Sequence, residues 1–175
     1  MSQNVVNSYR YVEPCVPEMW SQTTGTTEIN FNGSSVMGAA INIDTGSSAI
    51  GKTLTSFKMN MKRLNTSSNV LVFGVYSGGG TTPATTFTGS ITNSNQLTTS
   101  FAWYTFTGSH TLALNDHIGF VMGAGAGATM AVKRIANVGE STVTDLSMVI
   151  YGSHVSDWWN YSVSQIPYHE GFQTC

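Results

Sequence analysis

The chain has 175 residues, enough for one domain with a sizeable core. Only 9% of them are charged, against roughly 25% in ordinary soluble domains. The formal net charge is −2 with seven basic residues, too few for a broad phosphate-binding surface, which argues against a primary nucleic-acid role.

Ser and Thr make up about a quarter of the chain, and with 18 glycines this is a sheet-and-turn composition. No window carries an apolar stripe at helical spacing. Hydroxyl-rich, charge-poor surfaces suit extracellular or assembled particles. The start, MSQNVVNSYRYVEPC, lacks the basic residues and apolar run of a secretory signal. No stretch reaches the length of a membrane-spanning helix, so no membrane partner is expected. The two cysteines, Cys15 and Cys175, allow a bridge between the tails, a bond to another subunit, or two free thiols.

Taken in order, residues 1–26 read as an N-terminal arm. Tyr9, Tyr11 and Trp20 are interleaved with polar residues, and Pro14 and Pro17 discourage helix and central strand. The segment is too aromatic for a disordered tail, so its rings should be buried against its own domain or a neighbour. Residues 27–152 form the predicted sandwich domain. Glu28–Phe31 is a short strand ended by Asn32-Gly33, a turn signal. Val36–Ile43 is the next strand, and Asp44–Ser48 a turn.

From Thr53 the pattern is clearest. Phe57, Met59 and Met61 alternate with Ser56, Lys58, Asn60 and Lys62, the period of a strand with one buried face. Lys58, Lys62 and Arg63 form a local basic cluster, read as a solvated strand face. Val70–Tyr76 is apolar on both faces, as a strand covered on both sides would be. A glycine loop follows, then a weaker strand near Thr86–Ile91, an aromatic strand at Phe101–Phe106, and an apolar one at Ile118–Met122. Residues 123–128 alternate Gly and Ala, as a loop or a flat strand would. They do not match a phosphate-binding loop. Thr129–Ile135 and Leu146–Tyr151 complete the strands. After 152 periodicity is lost, and 153–175, carrying Trp158, Trp159, Tyr161, Tyr168 and Phe172, reads as a C-terminal arm. The fold class predicted is all-β: one antiparallel jelly-roll-like sandwich of about 8–10 strands between two arms.

The order LTSFKMNMKRL, VLVFGVYSG, LTTSFAWYTFTGSHTLALNDHIGFVMG resembles the jelly-roll modules of extracellular and phage structural proteins, which are similar in fold to carbohydrate-binding domains. The likeness covers roughly 52–125. It implies a sandwich that binds, anchors or sits on a virion surface, without fixing a ligand. Asn115-Asp116 stands where such modules usually carry Gly, a change that a turn tolerates.

Chemistry is sparse. His110, His117, His154 and His169 have acids nearby in sequence, but no serine sits in a nucleophile elbow, and adjacency is not triad geometry. No catalytic, cofactor-binding or metal-binding residue is therefore assigned. His154 with Asp157 and His169 with Glu170 lack metal-ligand spacing. Calcium at Asp44 or Asp116 competes with simple turn capping. Trp103 and Tyr104 are strand neighbours facing opposite sides, one a core residue and the other a candidate sugar-stacking ring.

The expectation is a non-enzymatic virion protein, made in the host cytoplasm. It would be a capsid decoration or cement protein of a phage or virus, binding coat protein and copies of itself. Tyr9, Tyr11, Trp20, Trp158, Trp159, Tyr161 and Phe172 would form the interface. The alternatives are a carbohydrate-binding or host-attachment module with a glycan ligand, and a subunit of a self-assembling extracellular filament.

Overall fold

The computed structural model describes the backbone of residues 21–22, 27–33, 35–125, 127–134, 146–152, 157–162 and 169–174, and the side chains of 28–33, 35–125 and 127–132. Twelve strands fall in this range: β1 (Ser21–Gln22), β2 (Thr27–Asn32), β3 (Met37–Ile43), β4 (Thr53–Arg63), β5 (Leu71–Ser77), β6 (Thr85–Gly89), β7 (Ala102–Thr111), β8 (Asp116–Met122), β9 (Thr129–Arg134), β10 (Leu146–Gly152), β11 (Asp157–Ser162) and β12 (His169–Thr174). One short 3-10 turn, Ser94–Gln96, is the sole helical piece among the described residues.

The protein is all-β, and every described strand pairing is antiparallel. A single hydrogen-bonded path runs β1-β12-β4-β7-β6-β5-β8-β3-β10-β11, with β9 joining β4 to β2. The path folds over at β6. Thr85–Phe87 pair with β5, while Thr88 and Gly89 pair with β7. One short strand thus stitches the two halves of the sheet together. At the crossing, a Cβ on Gly89 would sit 2.6 Å from both the Phe106 ring and the Thr105 carbonyl, so only glycine fits.

The inward residues of both halves meet in one core. Phe57, Met59 and Met61 on β4, Phe106 on β7, and Met130 and Val132 on β9 face Ile41 on β3, Phe73 and Val75 on β5, and Phe120 on β8. The period of two in the sequence is therefore the period of burial. Aromatic rings link the halves. Phe73 stacks on Phe106 with centroids 3.7 Å apart, and Phe31 meets Phe120 edge-on at 5.4 Å. Such pairs contribute about 0.5–1.5 kcal/mol beyond the area they bury.

The other face of β3, β5 and β8 is buried too. Ala40, Tyr76 and Val121 form a second apolar cluster there, with Val36 against it. This explains why Val70–Tyr76 is apolar on both faces. Tyr76 lies along its own strand and donates from its hydroxyl to the Val72 carbonyl at 2.7 Å. Burial pushes its phenol well above the ordinary tyrosine range, offset in part by a backbone hydrogen bond at Val121. Its neutral form is thus favoured by folding, a contribution intact below the ordinary phenol pKa and lost as pH rises beyond it.

Two expectations are amended. The aromatic strand runs on to Thr111, because Thr107–Thr111 pair with β4 across an irregularity between Leu54 and Ser56. Cross-strand pairing overrides a weak local preference there. The segment 153–175, expected as an arm, contributes β11, paired with β10, and β12, paired with β4 and β1. Trp and Tyr favour strands, and the absence of alternation hid this from pattern reading. The residues before Ser21 lie outside the described range.

Gly89→Ala should cost about 1–3 kcal/mol, since the clash is with backbone and a packed ring. Gly46→Ala, at φ +84 with open space around it, should cost less. Denaturant midpoints of the two variants check the order.

Candidate functional site

Two groups of polar side chains occupy opposite ends of the body. β5 and β8 run between them, so each strand has one group at its start and the other at its end.

At one end sits Asn69, only 4% exposed, in the connection from β4 to β5. Its Nδ2 donates to the carbonyls of Gly33 at 2.9 Å and Gly123 at 2.6 Å, and its Oδ1 accepts from the Ala128 N–H at 3.2 Å. Its backbone N–H donates to the Ser94 hydroxyl at 2.9 Å. One amide thereby ties together the connections β2–β3, β4–β5 and β8–β9, besides the 3-10 turn. Removing it would strand the Gly123 carbonyl and the Ala128 N–H, since the Gly33 carbonyl keeps the Gly125 N–H; each buried group left unsatisfied costs about 1–3 kcal/mol.

At the other end is Asp116, 2% exposed, at the start of β8. Its Oδ1 accepts from the Ser77 hydroxyl at 2.5 Å. Its Oδ2 accepts from the Ala113 N–H at 2.8 Å and lies 3.0 Å from His110 Nε2. On the far side of the ring, His110 Nδ1 lies 2.7 Å from the Thr85 hydroxyl. Thus Ser77 of β5, Thr85 of β6, His110 of β7 and Asp116 of β8 converge at one mouth of the body. The turn that places Asp116 closes through its N–H to the Ala113 carbonyl at 3.2 Å, with Asn115 at φ 64. Asn tolerates this left-handed backbone better than most residues with a side chain.

The proton positions follow from the partners. An ionised carboxylate only accepts, so Nε2 carries the proton that points at Asp116. In the neutral ring Nδ1 is then an acceptor, and Thr85 donates to it. The result is a hydroxyl–imidazole–carboxylate chain, with the carboxylate held by two further donors.

The residues singled out from the sequence are scattered over the body. Tyr104 points inward, and its hydroxyl accepts from the Thr98 N–H at 2.9 Å. Trp103 is half-buried on the outer face, opposite Asn60 of β4. Asn60 is 6% exposed, and its Oδ1 finds no donor. Lys62, in the basic cluster, pairs with Glu28 at 2.7 Å and lies over the Phe101 ring at 4.6 Å. Asp44 accepts from Asn42 Nδ2 at 2.5 Å. The oxygens of Asp116 are ringed by donors, which leaves it poorly disposed to a cation. Among the described residues no three His, Cys, Asp or Glu come together to hold a metal ion. None of their helices is long and apolar enough to cross a membrane. Tyr9, Tyr11, Trp20, Tyr168, Cys15, His154 and Cys175 lie outside the described residues. For Trp158, Trp159, Tyr161, His169 and Phe172 the backbone places the first three on β11 and the last two on β12.

Pattern reading found His110 and Asp116 as separate residues and missed Ser77, Thr85 and Asn69. A hydroxyl among so many Ser and Thr carries no signal by itself. An asparagine ahead of an apolar run looks like any turn residue.

A cleft of ≈ 370 Å³ opens where β6 parts from β5, lined chiefly by Val70, Leu71, Phe73, Phe87, Ile91 and Thr92. It holds no converging polar groups. Comparison with protein-family models, curated proteins and solved structures returned no match.

Asn69→Ala should lower stability by about 2–3 kcal/mol. Urea unfolding should show a lower midpoint with an unchanged slope.

Proposed function

We propose that the protein is a non-enzymatic jelly-roll subunit of a virion, a decoration or cement protein that docks on coat subunits and on copies of itself. The strand pairing supports the jelly-roll reading. The β7–β8 pair lies between the β3–β4 pair and the β5–β6 pair, through β4·β7, β3·β8, β6·β7 and β5·β8. This nested order is the one expected when a long antiparallel hairpin rolls into two layers.

The observation that carries the docking role is the outer face of β6 and β7. Thr86, Thr88, Thr105, Thr107, Ser109 and Thr111 are all exposed there, and none bears a charge. Charged residues are depleted at the centres of protein interfaces because they lose water at high cost. A hydroxyl face can be covered by another subunit with little such penalty. The terminal aromatics Tyr9, Tyr11 and Trp20 would add anchoring contacts outside this face. Because β11 and β12 belong to the sheet, a cut at residue 155 would remove body strands as well as any anchor.

One observation favours the glycan alternative. Trp103, half-buried on the outer face of β7, offers a ring against which a pyranose could stack.

The test is co-sedimentation of the chain with particles from its native source. Arginine at both Thr88 and Thr107, or deletion of residues 1–20, should abolish pelleting while the melting temperature stays within a few degrees. Unchanged pelleting by both variants would sink the docking proposal. A glycan-array signal lost in Trp103→Ala would put the alternative in its place.

A further inference from the structure

We infer that Thr85 is an activated nucleophile, able to take an acyl group from a small activated ester. This goes beyond the structural role proposed above and does not rest on it.

The mouth holds more than its turn needs. Asp116 is already met by the Ser77 hydroxyl and the Ala113 N–H, two donors that suffice to pin the turn. Placing an imidazole on Asp116 and a hydroxyl on the imidazole adds a directed chain. Its distances, 2.7 Å from Thr85 to Nδ1 and 3.0 Å from Nε2 to Asp116, lie within hydrogen-bond reach. The general requirement for an activated hydroxyl is a base within that reach, oriented by a third group. Such sets are recognised by geometry and roles, independent of sequence order. Here the carboxylate takes Nε2 and leaves Nδ1 for the nucleophile. Since one ring nitrogen carries the proton and the other accepts, the exchange of places leaves the chemistry intact.

The surroundings allow approach. Thr85 and His110 are half-buried, while Asp116 is sealed. The neighbouring loop from β5 to β6 carries Gly78 and Gly80, both at positive φ, with open space where a Cβ would stand.

The step balances without any further reagent. The Thr85 oxygen forms a bond to the ester carbonyl carbon, and its proton passes to His110 Nδ1. The tetrahedral intermediate collapses, breaking the bond to the leaving oxygen, which takes the proton back from Nδ1. Acyl-threonine and an alcohol result.

The full chain is incubated with p-nitrophenyl acetate. Nitrophenolate release is followed by absorbance, and the acetylated peptide is identified by mass spectrometry. The expected result is one acetyl group on Thr85. It should be lost in Thr85→Val, kept in Thr85→Ser, and slowed about 100-fold or more in His110→Gln. Denatured chain should not label there. Thermal melts establish which variants are folded. If His110→Gln does not fold, the native adduct site and the Val/Ser contrast decide. Acetyl groups scattered over lysines and other hydroxyls without enrichment at Thr85 would overturn the inference, as would a Thr85 adduct formed equally fast in folded His110→Gln.

Discussion

A sheet folded over on itself leaves its core open at two ends, and polar backbone at those ends must find partners without water. In this chain two side chains, one at each end, carry a large part of that task. Asn69, from the β4–β5 connection, satisfies two carbonyls and one N–H in two other connections. Asp116 collects a hydroxyl, a backbone N–H and an imidazole. Both are held almost entirely away from solvent, where each hydrogen bond is electrostatically stronger and each omission costs more. The strands between the ends can then be short and rich in small or apolar residues.

Between the two ties the body is held by rings and by β6. Phe73 and Phe106 come from different halves and stack closely, so the halves are locked in translation as well as in separation. β6 changes partners within five residues, and the change is possible because Gly89 brings no side chain into the Phe106 ring. Lateral closure on that side removes a free sheet edge, the feature most prone to unwanted pairing. A surface of hydroxyls rather than charges can coexist with that closure, since solubility then relies less on repulsion.

Much of the strand body was legible from period and composition. Phe57, Met59 and Met61 announce their face, and Val70–Tyr76 announces a strand covered twice. Asn32-Gly33 and Asp44–Ser48 fall at turns. What escaped was whatever depends on non-local partners. Thr107–Thr111 has no apolar residue to mark it as strand and is one only because β4 pairs with it. β11 and β12 lack alternation, so their aromatics suggested arms. Thr85 lies 25 residues before His110 and Asp116 only six after it, yet nothing in their local neighbourhoods foretells that β6, β7 and β8 bring them to one mouth.

The two buried polar ties should lock the ends of the body as firmly as its middle. Native-state hydrogen exchange resolved by residue tests this most directly, at two amides that lie outside the strands: Ala113, which donates to Asp116, and Ala128, which donates to Asn69. Protection of both to within about 1–2 kcal/mol of the slowest core amides is the predicted result. Exchange at either as fast as in the exposed Gly78–Thr82 loop would contradict it.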